Sequence, residues 1–278
     1  KNSTIARLEQ KYNQQMFKTN IIKKIFGSRK PISLDLRATI FEIIKNYSIT
    51  DKADGERHLL FIDNKNVILI SCNLEYKHTG IILSNNNFDG TIIDGELILS
   101  NNLQLFMSFD ILFVKNTDLR KNYNLMQRIN YLYKCLNECF NIKINNKKNN
   151  FTKISDITEY YNNDINTYIS NLNKKISISN QFIVWYKYYI FPKGIFKNEV
   201  YVYSNLIWKK FTNKDLKLPY ELDGLIYTPI NKEYNVYNKQ KDRYTTDTHE
   251  YKLKPVSRLS IDFYIEIEKN KKTNEYIE

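Results

Sequence analysis

From Tyr47 to Glu96 the hydrophobic pattern reads with a period of two, as strands separated by turns. That period commits the stretch to sheet, because side chains alternate faces along a strand. Segments 58–63, 66–72, 80–84 and 91–99 predict strands, with Asn85-Asn86-Asn87 and Asp89-Gly90 as turn signals between them. Residues 104–114 add a strongly apolar strand. Helical spacing appears on either side. Residues 3–25 carry Ile5, Leu8, Met16 and Ile21 at that spacing, and a Gly/Pro-punctuated turn follows from Gly27 to Pro31. Asp35 caps a helix to Lys45 with Ile40, Ile43 and Ile44 as its apolar face, and 121–140 aligns Leu125, Ile129, Leu132, Leu136 and Cys139. A further helix is expected over 155–174, with strands at 181–190, 199–209, 221–230, 249–254 and 259–267. Polar loops are expected at 141–150 and 231–248. Strands and helices that do not alternate regularly, with no internal repeat, predict an α+β fold of mainly antiparallel sheets.

The 278 residues are enough for a real core, and 42% hydrophobic with 26% charged residues excludes wholesale disorder. No apolar run approaches the roughly 18 residues of a membrane span, so a soluble protein with no membrane partner is expected. The N-terminus lacks the pattern of a secretion signal, and the start at Lys1 rather than Met suggests a fragment. Cys72, Cys135 and Cys139 form no C-x-x-C pair, which argues against a disulfide framework or a cysteine zinc site and for a reducing, intracellular setting. The formal charge of +12 favours a polyanionic partner. Lysine outnumbers arginine 34 to 8 and Asn, Ile and Tyr are abundant, so part of that charge reflects an AT-rich coding sequence.

Five charged segments interrupt the apolar strands. The first, Thr50-Asp51-Lys52-Ala53-Asp54-Gly55-Glu56-Arg57, fits K-x-D-G-x-R and offers Lys52 as a nucleophile in a tight turn. A charged hairpin turn is the alternative reading. The second, Ile93-Asp94-Gly95-Glu96, sets an acidic pair beside a glycine, suited to a sugar hydroxyl, a metal or a plain turn. The third, Phe106-Met107-Ser108-Phe109-Asp110, puts a carboxylate in a strand that should be buried, where it needs a partner. Phe109 reads equally as core. The fourth, Glu221-Leu222-Asp223-Gly224-Leu225-Ile226, presents carboxylate oxygens suited to Mg²⁺ ahead of an apolar strand. The fifth, Tyr251-Lys252-Leu253-Lys254-Pro255, puts two lysines on one strand face, within reach of a phosphate or along a solvated edge.

In this order the five resemble the covalent nucleotidyltransferase superfamily of mRNA-capping guanylyltransferases and ATP- or NAD-dependent ligases, over roughly residues 28–265. Three details resemble the capping branch. Asp-Gly stands at 223–224, followed by Thr228-Pro229, where ligases usually have Glu-Gly. The run K-L-K-P with Asp262-Phe263 downstream is similar to K-W-K-P…D-F, with Leu253 in place of Trp. The segment Gly27 to Leu34 is similar to G-x-Q-P-V-S, with its Gln replaced. The stretch around Lys52 looks most like capping enzymes of large DNA viruses, a source that would place the chain in the cytoplasm or a virion.

The resemblance implies a nucleotidyltransferase (ATP-grasp-like ligase/capping) domain over 1–255, of mainly antiparallel sheets flanked by helices, with an OB-type domain absent or only begun at 256–278. It implies that Lys52 attacks the α-phosphate of GTP and passes GMP to a 5′-diphosphate RNA end, with Mg²⁺ or Mn²⁺ as cofactor. A free lysine, with pKa about 10.4, is almost fully charged near neutral pH. Partial burial, Lys252, Lys254 and the metal would favour the neutral amine. Lys252 and Lys254 are expected to hold the α-phosphate, and Asp223 with Glu221 to hold the metal. Arg57 and Glu96 are assigned to the ribose, Phe109 to stacking on the base, and Lys187 to guanine O6. Asp54 and Asp110 are expected to support these. Further capping domains are expected in cis or in trans. An ATP-dependent RNA or DNA ligase and a catalytically silent nucleotide- or RNA-binding module are the competing readings.

Overall fold

The computed structural model describes residues 3–29, 31–44, 46–100, 103–142, 167, 181–194, 198–213, 219–234, 237–238, 243–244 and 249–255. The expected helix at 155–174, the strand at 259–267, the C-terminal segment from 256, nearly all of the loop at 141–150 and most of that at 231–248 lie outside these residues, Thr167 apart.

Two helices and a short strand come first: α1 (Ser3–Phe17), β1 (Ile32–Ser33) and α2 (Leu36–Phe41). The period-two stretch follows as β2 (Tyr47–Ala53), β3 (Glu56–Asp63), β4 (Asn66–Ser71), β5 (Tyr76–Ile82), β6 (Thr91–Ser100) and β7 (Leu103–Val114). Then come β8 (Thr117–Asp118), α3 (Leu125–Phe140), β9 (Gln181–Tyr186), α4 (Glu199–Thr212), β10 (Leu222–Pro229), β11 (Tyr237–Asn238), β12 (Arg243–Tyr244) and β13 (Tyr251–Leu253).

Two sheets carry the fold. The larger runs β5-β4-β3-β6-β7-β8, with β9 also on β7; the smaller runs β1-β13-β10-β2. All pairs are antiparallel except β1 with β13 and β7 with β9. Alternation divides the large sheet's side chains between two cores. Leu59, Phe61, Ile68 and Ile70 face α1 residues Leu8, Tyr12 and Met16. Leu60, Ile62, Val67 and Leu69 belong to the main core, shared with α3, α4 and the small sheet. Burial on both faces explains why β3 and β4 are nearly continuous apolar runs.

Four expectations need correction. The first helix ends at Phe17, with Lys18 at φ 53° and Ile21 exposed, so only part of 3–25 is helical. Asp35 caps α2 as expected, accepting from the Ala38 amide at 2.6 Å, but the helix ends at Phe41 rather than Lys45; Ala38 on it and Ile43 beyond it are buried, while Ile40 is exposed. The strand expected at 80–84 is β5, starting at Tyr76; it is an edge strand without a buried face, so it carries no alternation to read. Residues 199–209 form helix rather than strand. Val-Tyr-Val-Tyr favours strand locally, but Val200, Ser204 and Ile207 fall on one helical face and are buried there, and packing overrides propensity.

Candidate active site

Lys52 lies within β2, not in a turn. Asp54 and Gly55 do not close a hairpin, since β2 pairs with β10 and β3 with β4 and β6. The chain crosses there from the small sheet to the large one. Gly55 is required by close approach: a Cβ would stand 2.8 Å from the Leu97 carbonyl and 2.9 Å from Glu96 Cγ.

A bulge in β10 aims the next side chain. Leu222 pairs with Ala53 and Gly224 with Lys52, which leaves Asp223 as the extra residue. Its carboxylate accepts from Lys52 Nζ on β2 and, at 2.9 Å, pairs with Lys254 Nζ just beyond β13. Burial pushes the Asp223 carboxyl up, but the hydrogen bonds from Lys52 and Lys254 outweigh it and hold it below the usual carboxylate range. Gly224 makes the convergence possible: its φ is +139°, and a Cβ would lie 2.0 Å from the Leu253 carbonyl oxygen. Lys252 pairs in register with Ile226. It is half-buried; its carbonyl accepts from the Leu34 amide at 3.0 Å, while its ammonium makes no hydrogen bond or ion pair among the described residues.

Lys52, Arg57, Glu96, Phe109 and Lys187 line one cavity between the sheets, together with Thr50, Ile226, Thr228 and Glu250. Its large-sheet wall is fixed by buried ion pairs. Arg57 donates to Asp94 through Nε at 3.0 Å and Nη2 at 2.6 Å, and to the Arg29 carbonyl through Nη1. Burial opposes the Arg57 charge, yet Asp94 holds it above its ordinary value. Lys187, 3% exposed, donates to Glu96 at 2.7 Å and to the Asp51 carbonyl at 3.2 Å. Burial works against this ammonium too, and the Glu96 and Asp51 carboxylates raise it above its usual range. The Arg57 guanidinium and Lys187 Nζ lie 5.0 and 5.8 Å from the centroid of the Phe109 ring. The ring is thus a preorganised apolar surface beside two fixed cations.

Seven of the nine candidates therefore gather in the cavity or on the carboxylate beside it: Lys52, Arg57, Glu96, Phe109, Lys187, Asp223 and Lys254. Lys252 stands one register step along. Glu221 is exposed, and its carbonyl accepts from the Asp54 amide at 3.0 Å. Among the described residues no three histidine, cysteine or carboxylate groups converge, so there is no all-protein metal cage. A single carboxylate beside two lysines fits a Mg²⁺ that takes most of its ligands from nucleotide phosphates and water.

Asp94 is a buried anchor for Arg57 rather than a ligand-binding carboxylate. Asp110 serves a network as expected, bound to Arg128 at 2.8 and 2.9 Å. Sequence reasoning gave no role to Asp51, Thr228 or Glu250. Glu250 was within reach of the same alternation that paired Lys252 with Lys254.

Residues 2–243 match the family described as mRNA capping enzyme, catalytic domain. A probable mRNA-capping enzyme of Acanthamoeba polyphaga mimivirus is 37% identical over 249 residues, covering 87% of this chain and 21% of that protein. The chain thus spans about a fifth of the length of that relative. Among solved structures, Pmar-Lig_PreS3 matches with a TM-score of 0.48 at 14% identity, over 90% of this chain and 51% of that one. The ligase domain of M. tuberculosis LigD gives 0.40 at 11%, over 75% and 53%.

Proposed function

The chain belongs to the mRNA capping enzyme catalytic-domain family, and from that premise we propose that it is an mRNA guanylyltransferase with Lys52 as its nucleophile. The neutral Lys52 amine attacks the α-phosphorus of GTP. A P–N bond forms, the bond from the α-phosphorus to the bridging oxygen breaks, pyrophosphate leaves, and the nitrogen sheds its proton. In the second half-reaction a β-phosphate oxygen of a 5′-diphosphate RNA end attacks the same phosphorus. The P–N bond breaks, Lys52 recovers its proton, and a 5′-5′ triphosphate cap results.

The observation that carries this reading is the Lys52–Asp223–Lys254 cluster at the Lys52 end of a cavity walled by Phe109. Lys254 and Lys252 stabilise the charge that builds on the α-phosphate in the in-line transition state. Arg57 and Glu96 orient the ribose, Phe109 stacks on the base, and Lys187, whose ammonium carries a third hydrogen, donates to O6. Asp223, with Glu221, would hold Mg²⁺ or Mn²⁺, which would neutralise phosphate charge and ease the departure of pyrophosphate. The relative extends well beyond the aligned part, which supports further capping domains acting with this one in cis or in trans. The formal charge of +12 suits an RNA substrate.

The test is covalent labelling by α-labelled GTP with Mg²⁺, run in parallel with ATP and with Lys52→Ala. A band from GTP alone that the substitution abolishes is expected. Labelling from ATP instead would make the chain a ligase-type adenylyltransferase.

A further inference from the structure

Glu250, one residue before β13, lines the cavity with a side chain 9% exposed. Its nearest cation among the described residues, Arg29 Nη2, is 3.7 Å away, beyond hydrogen-bond distance. No described residue donates a hydrogen bond to its carboxylate. A buried carboxylate is an acceptor-only group and is costly to leave unfilled. On the adjoining register position is a second unfilled group: Thr228 Oγ1, on a residue 1% exposed that lines the same cavity, has no hydrogen-bond partner among the described residues.

Their positions along the ladder are informative. The register Leu225 with Leu253, Ile226 with Lys252 and Tyr227 with Tyr251 extends in one direction to Gly224 beside Lys254, and in the other to Thr228 beside Glu250. Alternation keeps Thr228 and Glu250 on the face of Ile226 and Lys252. Lys254 and the Lys52 partner Gly224 therefore each stand four residues from the unfilled groups Glu250 and Thr228, about 13 Å along the strand, with Lys252 midway. That is the length scale of a nucleoside monophosphate, with Ile226 lining the interval.

Resting on the guanylyltransferase reading, we propose that Glu250 selects the base: its carboxylate accepts the N1–H and N2–H hydrogens of guanine, and the Thr228 hydroxyl bonds to the same end of the purine. Guanine presents two adjacent donors on that edge. Adenine presents a lone pair and a C–H, so an acceptor-only group pairs with the first and repels the second. Hypoxanthine keeps N1–H and lacks the amine; xanthine puts a carbonyl where the amine was. A glutamine at position 250 suits xanthine, since its carbonyl accepts N1–H and its amide donates to O2.

The test uses α-labelled GTP, ITP, XTP and ATP as probes, scored by the kcat/KM of covalent labelling. On the wild type, ITP is expected to fall about ten- to hundredfold below GTP, the loss of one hydrogen bond to a charged group. XTP and ATP are expected to fall further. In Glu250→Gln the XTP-to-GTP ratio should rise by about a hundredfold, a gain that loss of folding cannot imitate. Glu250 serving only as a counter-ion to Arg29 would leave the base ranking unchanged in the variant, and that result overturns the proposal. The wild-type series decides independently of any variant. Equal labelling by GTP and ITP overturns the base contact while leaving the guanylyltransferase reading intact, and a preference for ATP overturns both.

Discussion

Asp223 is where three strands meet in one side chain. The bulge on β10 aims it, Lys52 reaches it from β2, and Lys254 reaches it from beyond β13. Asp223→Asn would leave two ammonium groups facing each other without a counter-charge. We expect covalent labelling to fall by more than tenfold and stability at pH 7 to fall by about 1 kcal/mol, below the range for buried charged hydrogen bonds because the lysines are partly exposed. The pH dependence has a definite sign. The Asp223 carboxyl is held below its usual range when folded, so its contribution is fully present above the unfolded value of about 3.9 and is lost as pH falls through the folded one. Melting curves of the wild type and Asp223→Asn should therefore differ by a constant amount from pH 5 to 8 and converge below pH 4. These three residues were legible in the sequence because charge at the end of an apolar strand needs a reason. Asp94 was not. Its sequence neighbourhood resembles a ligand-binding pair, and only the β3–β6 register, Arg57 opposite Glu96 and Leu59 opposite Asp94, brings it under the guanidinium.

At the scale of elements, the site depends on how closely β10 and β13 approach. Gly224 permits this, with φ +139° and no room for a Cβ against the Leu253 carbonyl oxygen. Gly224→Ala is expected to part the two strands, carry Lys254 away from Asp223, and reduce the rate of labelling at least tenfold with a lowered melting temperature. A variant that labels at the wild-type rate would show that the strand spacing does not govern the site. The strands β3 and β4 were readable as short apolar runs bounded by turn residues, since both of their faces are buried. Elements whose pattern is set elsewhere were not. The edge strand β5 buries no face of its own, and α4 carries strand-forming residues on a helix held by its packing. The irregular stretch after β9 read as more strand, yet at Lys187 the chain leaves the ladder, with its amide on the Ser108 carbonyl at 2.7 Å. That departure sets the Lys187 ammonium beside Glu96 and Asp51.

On the scale of the molecule, the cavity exists because two sheets of different size face each other, and each contributes one wall. The small sheet supplies Lys52, Ile226 and Thr228; the large one supplies Arg57, Glu96 and Phe109. Mixed α+β character and antiparallel pairing were legible from strands and helices that do not alternate regularly, and the order of five short motifs carried the family resemblance. The pairing of the sheets was not legible, since strands adjacent in sequence, β2 and β3, part company at Gly55. Among the described residues no helix is long and apolar enough to cross a membrane. We propose that this arrangement makes Lys52 a carrier of GMP. The most direct test is mass mapping of the protein after incubation with GTP and Mg²⁺, under alkaline conditions that preserve a phosphoramidate. One GMP per chain is expected on the peptide containing Lys52, removed when a 5′-diphosphate RNA is added. An adduct on any other residue, or an AMP adduct formed in preference from mixed nucleotides, would contradict it.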